Sequence, residues 1–171
     1  DVRLAALDVL PCLGPFATPF VERLATVLRE GDEELAFQVL LALDALGPHA
    51  RPAAELARPY LKHPEPALRR VALSALTACG KHDAEVAAAL AKDWDRTEER
   101  SGLLLILARA GAAGAWSLPR VRADLRRCLR EDDDPLEHLR TLAALGPAAR
   151  AAIPELRQLT RDPYVAEEAI A

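Results

Sequence analysis

The sequence predicts an all-α fold, a right-handed α-solenoid of antiparallel helix pairs with about 33 residues in each repeat. Three observations predict it: glycines recur at a regular spacing, leucines precede each glycine at fixed offsets, and no stretch alternates as a β-strand does. The glycines, spaced 33, 33, 31 and 35 residues apart, are Gly14, Gly47, Gly80, Gly111 and Gly146. A helix pair cannot bury its apolar residues alone, so repeats of this length stack on their neighbours.

The first helix of each repeat is predicted from apolar residues that stand seven, four and one positions before the glycine. These offsets fall on one face of a helix, because one turn takes 3.6 residues. In the second repeat the residues are Leu40, Leu43 and Leu46. Gly47 can take the left-handed conformation that ends a helix, and Pro48 cannot continue it.

A second apolar pattern follows each glycine and predicts a helix that runs back along the first. It includes Leu24 and Leu28 in the first repeat, and Leu90 and Trp94 in the third. Trp94 stands in the column of Leu28, fourteen residues after the glycine, so we expect it in the core. Asp83 precedes the second helix of the third repeat and is predicted to cap it.

The repeats form one continuous segment, 1–171. They span approximately 1–31, 32–63, 64–95, 96–131 and 132–161, with a partial sixth repeat at 162–171. The fourth is irregular: its alignment requires four inserted residues after Gly111, and we expect an extra helical turn or a longer loop there. Asp132–Asp134 is predicted to cap the next helix. Since neither end has a polar capping repeat, we expect further repeats or another chain to cover the solenoid ends.

Three strings carry a family resemblance: Val2–Leu7, Leu68–Leu73 and Ala144–Leu156. They resemble HEAT repeats in their short bacterial form, also labelled HEAT-like or phycobilisome-lyase-type repeats. An arginine near the start of the first helix is common in that family. The residues at this offset are Arg3, Ala36, Arg69, Arg100 and Pro135. The resemblance implies a solenoid and leaves the function open, because such repeats occur in scaffolds, chromophore-attachment accessories and a DNA-repair glycosylase family.

Composition favours a protein partner. The chain has a net charge of −4 and a pI of about 5.6, which argues against general nucleic-acid binding, since that requires a basic surface. No apolar run approaches about 20 residues and no signal peptide is seen, so we expect no membrane contact and a cytoplasmic location. Cys12, Cys79 and Cys128 are an odd number, which indicates buried free thiols and a reducing compartment.

The sequence contains no pattern typical of catalysis or of metal and cofactor binding. The four histidines stand at unlike offsets, and His138 occupies a position that is apolar in the other repeats, which predicts a partly buried histidine rather than a metal ligand. None of the serines lies in a nucleophile elbow, and no glycine-rich phosphate loop is present. We therefore expect no enzyme, no cofactor and no metal.

Four residues are candidates for partner binding. Arg58, Arg126 and Arg157 share one column of the second helix, which in HEAT proteins lines the concave surface. There they would pair with carboxylates or phosphates, unless the column is a solvated helix face. Trp116 has no counterpart in the other repeats, so it either caps the irregular repeat or anchors a partner.

These observations predict a non-enzymatic scaffold that binds a protein or peptide, with acidic groups, along the second-helix surface. One alternative is a helical-repeat enzyme or nucleic-acid binder of the alkylation-repair type. The other is a chromophore-lyase-like accessory.

Overall fold

The computed structural model describes residues 7, 9, 10, 12, 16, 19–29 and 32–159. Within these residues the fold is all-α and contains no β-strand, which confirms the predicted secondary-structure class. Part of the first repeat, including Gly14, and the partial sixth repeat at 162–171 lie outside the described residues. The chain divides into two compact units, with the boundary in sequence between Ile106 and Leu107. We call them unit 1 and unit 2.

The helices are α-helices (α) or 3₁₀ helices (η). In the described part of the chain they are α1 Val21–Arg29, α2 Glu33–Leu46, η1 Gly47–Lys62, α3 Pro66–Ala78, α4 Ala84–Trp94, α5 Ser101–Ala110, η2 Gly111–Ser117, α6 Leu118–Glu131, α7 Leu136–Leu145, η3 Gly146–Ala152 and α8 Ile153–Leu159.

Aspartates start several of these helices. Asp83 accepts hydrogen bonds from the backbone N–H groups of Glu85 and Val86 at 3.1 and 3.2 Å, which confirms the cap predicted for α4. Asp134 accepts one from the backbone N–H of Leu136 at 2.9 Å, although the N-cap residue of α7 is Pro135, so the acidic run supplies one acceptor to the first turn rather than the cap residue itself. Each bond satisfies a donor that the first turn of a helix leaves unpaired.

In unit 1 the predicted leucine columns form the core. The residues seven and four positions before the glycines are fully buried: Leu40, Leu43, Leu73 and Leu76. Helix α2 packs against α3, and both pack against η1. Trp94 is also buried, which confirms its predicted place in the core.

Segment η1 is a 3₁₀ helix, where the sequence pattern predicted an α-helix. Pro52 and Pro59 lie inside it, and each lacks the N–H that an α-helix interior would use. Side chains three residues apart are aligned in a 3₁₀ helix, and Ala50 and Ala53 lie buried at that spacing. Because these side chains are small, η1 can pack closely against α2 and α3.

The turn glycines adopt the predicted positive φ. The values are 54° at Gly47, 77° at Gly80, 55° at Gly111 and 59° at Gly146. At Gly47 ψ is −127°, so this residue lies in the mirror image of the extended region rather than in the left-handed helical region. That region is readily open only to glycine, so a side chain at Gly47 would strain the backbone.

Unit 2 contains the irregular part of the fourth repeat, from Gly111 onwards. Every residue from 111 to 131 is helical, so the inserted residues extend the helical segment rather than forming a loop. Helix α7 packs against η2, η3 and α6, and α6 also contacts α8. Val121, Leu125 and Leu145 are fully buried between these elements.

The cysteines divide into two groups. Cys79 and Cys128 are buried, as predicted, and burial raises the pKa of the Cys79 thiol to about 11. Cys12 is exposed, so the prediction of burial is wrong there. It stands two residues before Gly14, and the equivalent residue Ala45 is exposed too, because this column faces away from the leucines.

One described stretch, Ser101–Glu131, is long and apolar enough to cross a membrane, judged by length and composition alone. It has 31 residues, and its most apolar part holds at most two charged side chains. At Gly111 the positive φ separates α5 from η2, so the stretch is not one uninterrupted α-helix. Its residues Leu103, Leu104 and Leu107 are buried within the protein, but only 33% of its most apolar part is buried.

Candidate partner-binding site

Arg58 lies on η1 in unit 1 and is surrounded by three carboxylates. Its Nη1 donates to Glu85 Oε2 at 2.9 Å and to Asp83 Oδ1 at 3.3 Å, while Nε bonds Glu55 and Nη2 bonds Asp83. Asp83 also caps α4, so Arg58 connects η1 to the start of α4. Only 24% of the Arg58 side chain is exposed.

These ion pairs lower the pKa of two of the carboxylates, those of Asp83 and Glu55. Hydrogen bonding from Arg58 lowers the pKa of Asp83 to about 2. Hydrogen bonds from Arg58 and Lys81 lower the pKa of Glu55, and Lys81 Nζ lies 2.8 Å from Glu55 Oε1. Asp83 and Glu55 are therefore ionised at neutral pH and hold donors of Arg58 within the chain.

Arg126 lies on α6 in unit 2, beside a single carboxylate. Its Nε donates to Glu155 Oε1 at 2.7 Å, and Arg122 Nη2 donates to the same oxygen at 3.0 Å. Glu155 is buried, with 4% of its side chain exposed, whereas 52% of the Arg126 side chain is exposed. Burial raises the pKa of Glu155, but hydrogen bonds from the two arginines outweigh it and the net pKa is lowered. Two positive charges thus share one negative charge.

Arg157 is exposed on α8, two residues after Glu155, and takes part in an interaction within the chain. Helices α6 and α8 are in contact, so the structure brings the helices of Arg126 and Arg157 together. Helix α6 carries five arginines and only two carboxylates. The exposed surface of α6 and α8 in unit 2 is therefore basic, although the whole chain is acidic.

Trp116 lies on η2, with its side chain partly exposed at 36%. The residues around it are tightly packed: a Cβ at Gly114 would lie 3.3 Å from Leu107 O and from Leu145 Cδ2, and Ser117 Oγ donates to Gly114 O at 2.7 Å. The indole is therefore held on a rigid backbone. Both predicted roles, cap and partner anchor, stay predictions.

Sequence reasoning missed the two buried carboxylates of unit 2, Glu155 and Asp124. His138 is buried as predicted, and its Nε2 lies 3.0 Å from Asp124 Oδ2, while Arg127 Nη2 lies 3.0 Å from Asp124 Oδ1. One signal was available: Glu155 stands nine residues after its glycine, where the second repeat has Leu56. The column also holds Ala89 and, once the inserted residues are removed, Asp124, so two successive repeats place a carboxylate where the two repeats before them have an apolar residue. Such a replacement indicates a buried charge that needs a partner.

The part of the chain that the structure describes contains no group of three or more His, Cys, Asp or Glu residues that could hold a metal ion. In the comparisons with known proteins, no family model, no curated protein and no solved structure matches this chain. The resemblance to HEAT repeats therefore stays a prediction.

Proposed function

We propose that this protein is a non-enzymatic scaffold, a HEAT-like right-handed solenoid of antiparallel helix pairs that binds an acidic protein or peptide partner. The proposed site is the second-helix surface of unit 2, with Arg126 at its centre and Arg157 and Trp116 as further contacts. Arg58 is a weaker candidate, because its donors are used within unit 1. The free cysteines are consistent with a reducing, cytoplasmic environment.

A repeated contact supports the solenoid. A Cβ at Gly47 would lie 3.6 Å from the carbonyl oxygen of Ala78, and a Cβ at Gly111 would lie 3.6 Å from that of Ala144. Ala78 and Ala144 each stand two residues before the next turn glycine. The same positions of successive repeats therefore touch in unit 1 and in unit 2, which is the expected geometry of stacked repeats.

The main support for the proposed binding site is that Arg122 and Arg126 share the carboxylate of Glu155. One buried carboxylate compensates two arginines, and the more exposed of them, Arg126, still presents half of its side chain to solvent. A guanidinium in this position can donate to a carboxylate of a partner without first losing its contact to Glu155. A partner with acidic groups therefore fits this surface best.

The test compares capture from the source lysate by the wild-type chain, by Arg126→Glu with Arg157→Glu, and by the control Arg51→Glu. Arg51 is exposed on η1 and undergoes the same substitution, at one position rather than two. We expect the wild type and the control to retain a partner that the double variant loses. With that partner purified, calorimetry should show binding weaker by about tenfold or more for the double variant. Equal binding by all three proteins would place the site on another surface.

A further inference from the structure

A single line of exposed side chains runs along η2 and α6 in unit 2. Between residues 114 and 130 the exposed residues are Trp116, Pro119, Ala123, Arg126 and Arg130. They follow one another at spacings of three, four, three and four, which keeps them on one face of a continuous helical segment. We call these five residues the exposed stripe. Because the residues between them are buried or half-buried, the stripe is the part of this segment that a partner can reach.

The exposed stripe has two chemically different halves. Its first three residues are apolar and begin with Trp116, whose large side chain is 36% exposed. Its last two residues, Arg126 and Arg130, are basic, and the acidic run 131–134 follows directly after them. An exposed tryptophan can bury a large apolar area against a partner, while an arginine donates to its carboxylates. The stripe therefore fits a partner that is apolar at one end and acidic at the other.

In unit 1 the chain itself supplies a carboxylate at the equivalent place. Glu55 stands three residues before Arg58 and accepts a hydrogen bond from its Nε. The residue three before Arg126 is Ala123, which is exposed and has no carboxylate to offer. Glu155 accepts from Nε of Arg126, so Nη1 lies on the part of the guanidinium away from that bond. A carboxylate above Ala123 can therefore come from a partner.

We propose that the exposed stripe binds an extended acidic peptide segment, whose apolar side chain packs on Trp116 and whose carboxylate pairs with Arg126. This inference rests on the proposed function and specifies the partner of the same site. Trp116 and Arg126 stand ten residues apart, which is about 15 Å along a helix axis. An extended peptide covers this distance in about five residues. The partner segment therefore carries its apolar residue and its acidic residue about five positions apart.

The pattern of charge favours a short acidic segment over a nucleic acid. A single-stranded nucleic acid also combines stacking on an aromatic side chain with contacts to arginines. Its phosphate backbone would continue past Arg130 and meet the four acidic residues at 131–134, in a chain whose net charge is −4. Like charges repel there, whereas a peptide with a local acidic group can end before the acidic run.

The first experiment measures binding of synthetic peptides to the full chain by fluorescence anisotropy. Each labelled peptide carries one leucine followed by two adjacent glutamates, with one, four or eight serine and glycine residues between them. The four-residue spacing should bind tightest, by about tenfold over the other spacings and over a peptide with alanine in place of the leucine. Equal binding at all spacings, no saturable binding of any peptide, or tighter binding of an oligouridylate of the same length would overturn the proposal.

A substitution within the stripe tests the role of the missing carboxylate. Ala123→Glu places a carboxylate three residues before Arg126, as Glu55 stands before Arg58, and should weaken binding of the four-residue-spaced peptide by about tenfold. Ala123→Gln has nearly the same shape without the charge and should bind as the wild type does. Ala88→Glu makes the same change at an exposed residue of the same column in unit 1, and it should also have no effect. Equal weakening by either control would overturn the proposal.

A second readout needs no substitution, so it does not depend on the folding of a variant. The chain has two tryptophans, and Trp94 is only 5% exposed, so acrylamide should quench mainly the fluorescence of Trp116. The peptide with leucine at the four-residue spacing should reduce this quenching, and the alanine peptide should not. If the quenching stays unchanged while capture from the lysate still depends on Arg126, this inference is overturned and the scaffold proposal stands. Capture that does not depend on Arg126 would overturn the proposed binding site as well.

Discussion

Arg58 and Arg126 occupy the same column of the repeat once the four inserted residues are removed, yet their surroundings differ. Arg58 meets three carboxylates, and all three are 43% or more exposed. Arg126 meets one carboxylate, which is buried and shared with Arg122. The position in the repeat therefore decides on which helix face a side chain lies. The neighbouring charges decide whether it connects two helices or remains available to a partner.

The same comparison predicts the order of energetic effects. Exposed ion pairs contribute little to stability, because water and salt screen them. Removal of an arginine from a buried carboxylate is costly, since it leaves a charge without a partner in a poorly solvated place. We therefore expect the burial of the carboxylate, rather than the number of ion pairs, to rank the arginines of this protein.

The largest effect is expected at Arg69, because both side chains of its ion pair are more buried than those around Arg58. Its Nε donates to Asp93 Oδ1 at 2.9 Å, and the two side chains are only 12% and 6% exposed. Arg69→Ala should lower the free energy of unfolding by about 3–5 kcal/mol, as measured by urea denaturation, because Asp93 would remain buried and unpaired. The neighbouring change Arg70→Ala, at a half-exposed position, should cost less than about 0.5 kcal/mol. Similar losses for both variants would show that burial does not set the ranking.

The next effect is expected in unit 2, for Arg122→Ala combined with Arg126→Ala. This double variant leaves Glu155 buried without its two donors, and we expect a loss of about 3 kcal/mol. Adding Glu155→Leu should recover most of that loss, because an apolar side chain needs no partner there. If the triple variant is no more stable than the double variant, the two arginines stabilise the unit through packing rather than through their charge.

The features of this fold that the sequence predicted are those that repeat. The leucine columns and the positive φ at the turn glycines depend on spacing along the chain, and spacing is visible in a sequence. The 3₁₀ form of η1 was missed although its cause was visible, because Pro52 and Pro59 remove N–H groups that an α-helix would need. The apolar spacing alone does not distinguish an α-helix from a 3₁₀ helix in this segment.

The charged clusters could not be predicted in the same way. The carboxylates that hold Arg58 lie 25 and 27 residues further along the chain, at Asp83 and Glu85, and Glu155 lies 29 residues after Arg126. These pairs form only when successive repeats pack against each other. A column of arginines shows that the side chains share a helix face, but their partners come from the neighbouring repeat and differ from one repeat to the next.

The smallest effect is expected for Arg58→Ala, although Arg58 makes the most ion pairs. Its carboxylates are exposed, so the loss at pH 7 should be about 1 kcal/mol. The stability lost in Arg58→Ala should become smaller as the pH falls. Because the pKa of Asp83 is lowered to about 2 in the folded protein, its ion pair stabilises the fold above the ordinary pKa of about 4. This contribution disappears as the pH falls towards 2.

Urea denaturation of the wild type and Arg58→Ala at pH 7, 4 and 3 measures this dependence. The difference between the two proteins should be largest at pH 7 and should shrink at pH 3, because Asp83 and Glu55 take up protons in the unfolded chain at a higher pH than they do in the folded wild type. Arg51→Ala provides a control on the same helix and should show no such trend. A difference that stays constant or grows on acidification would mean that Arg58 acts through the packing of its methylene groups. In that case the ion pairs of Arg58 would not distinguish it from Arg126. Arg58 would then be as good a candidate for partner binding as Arg126.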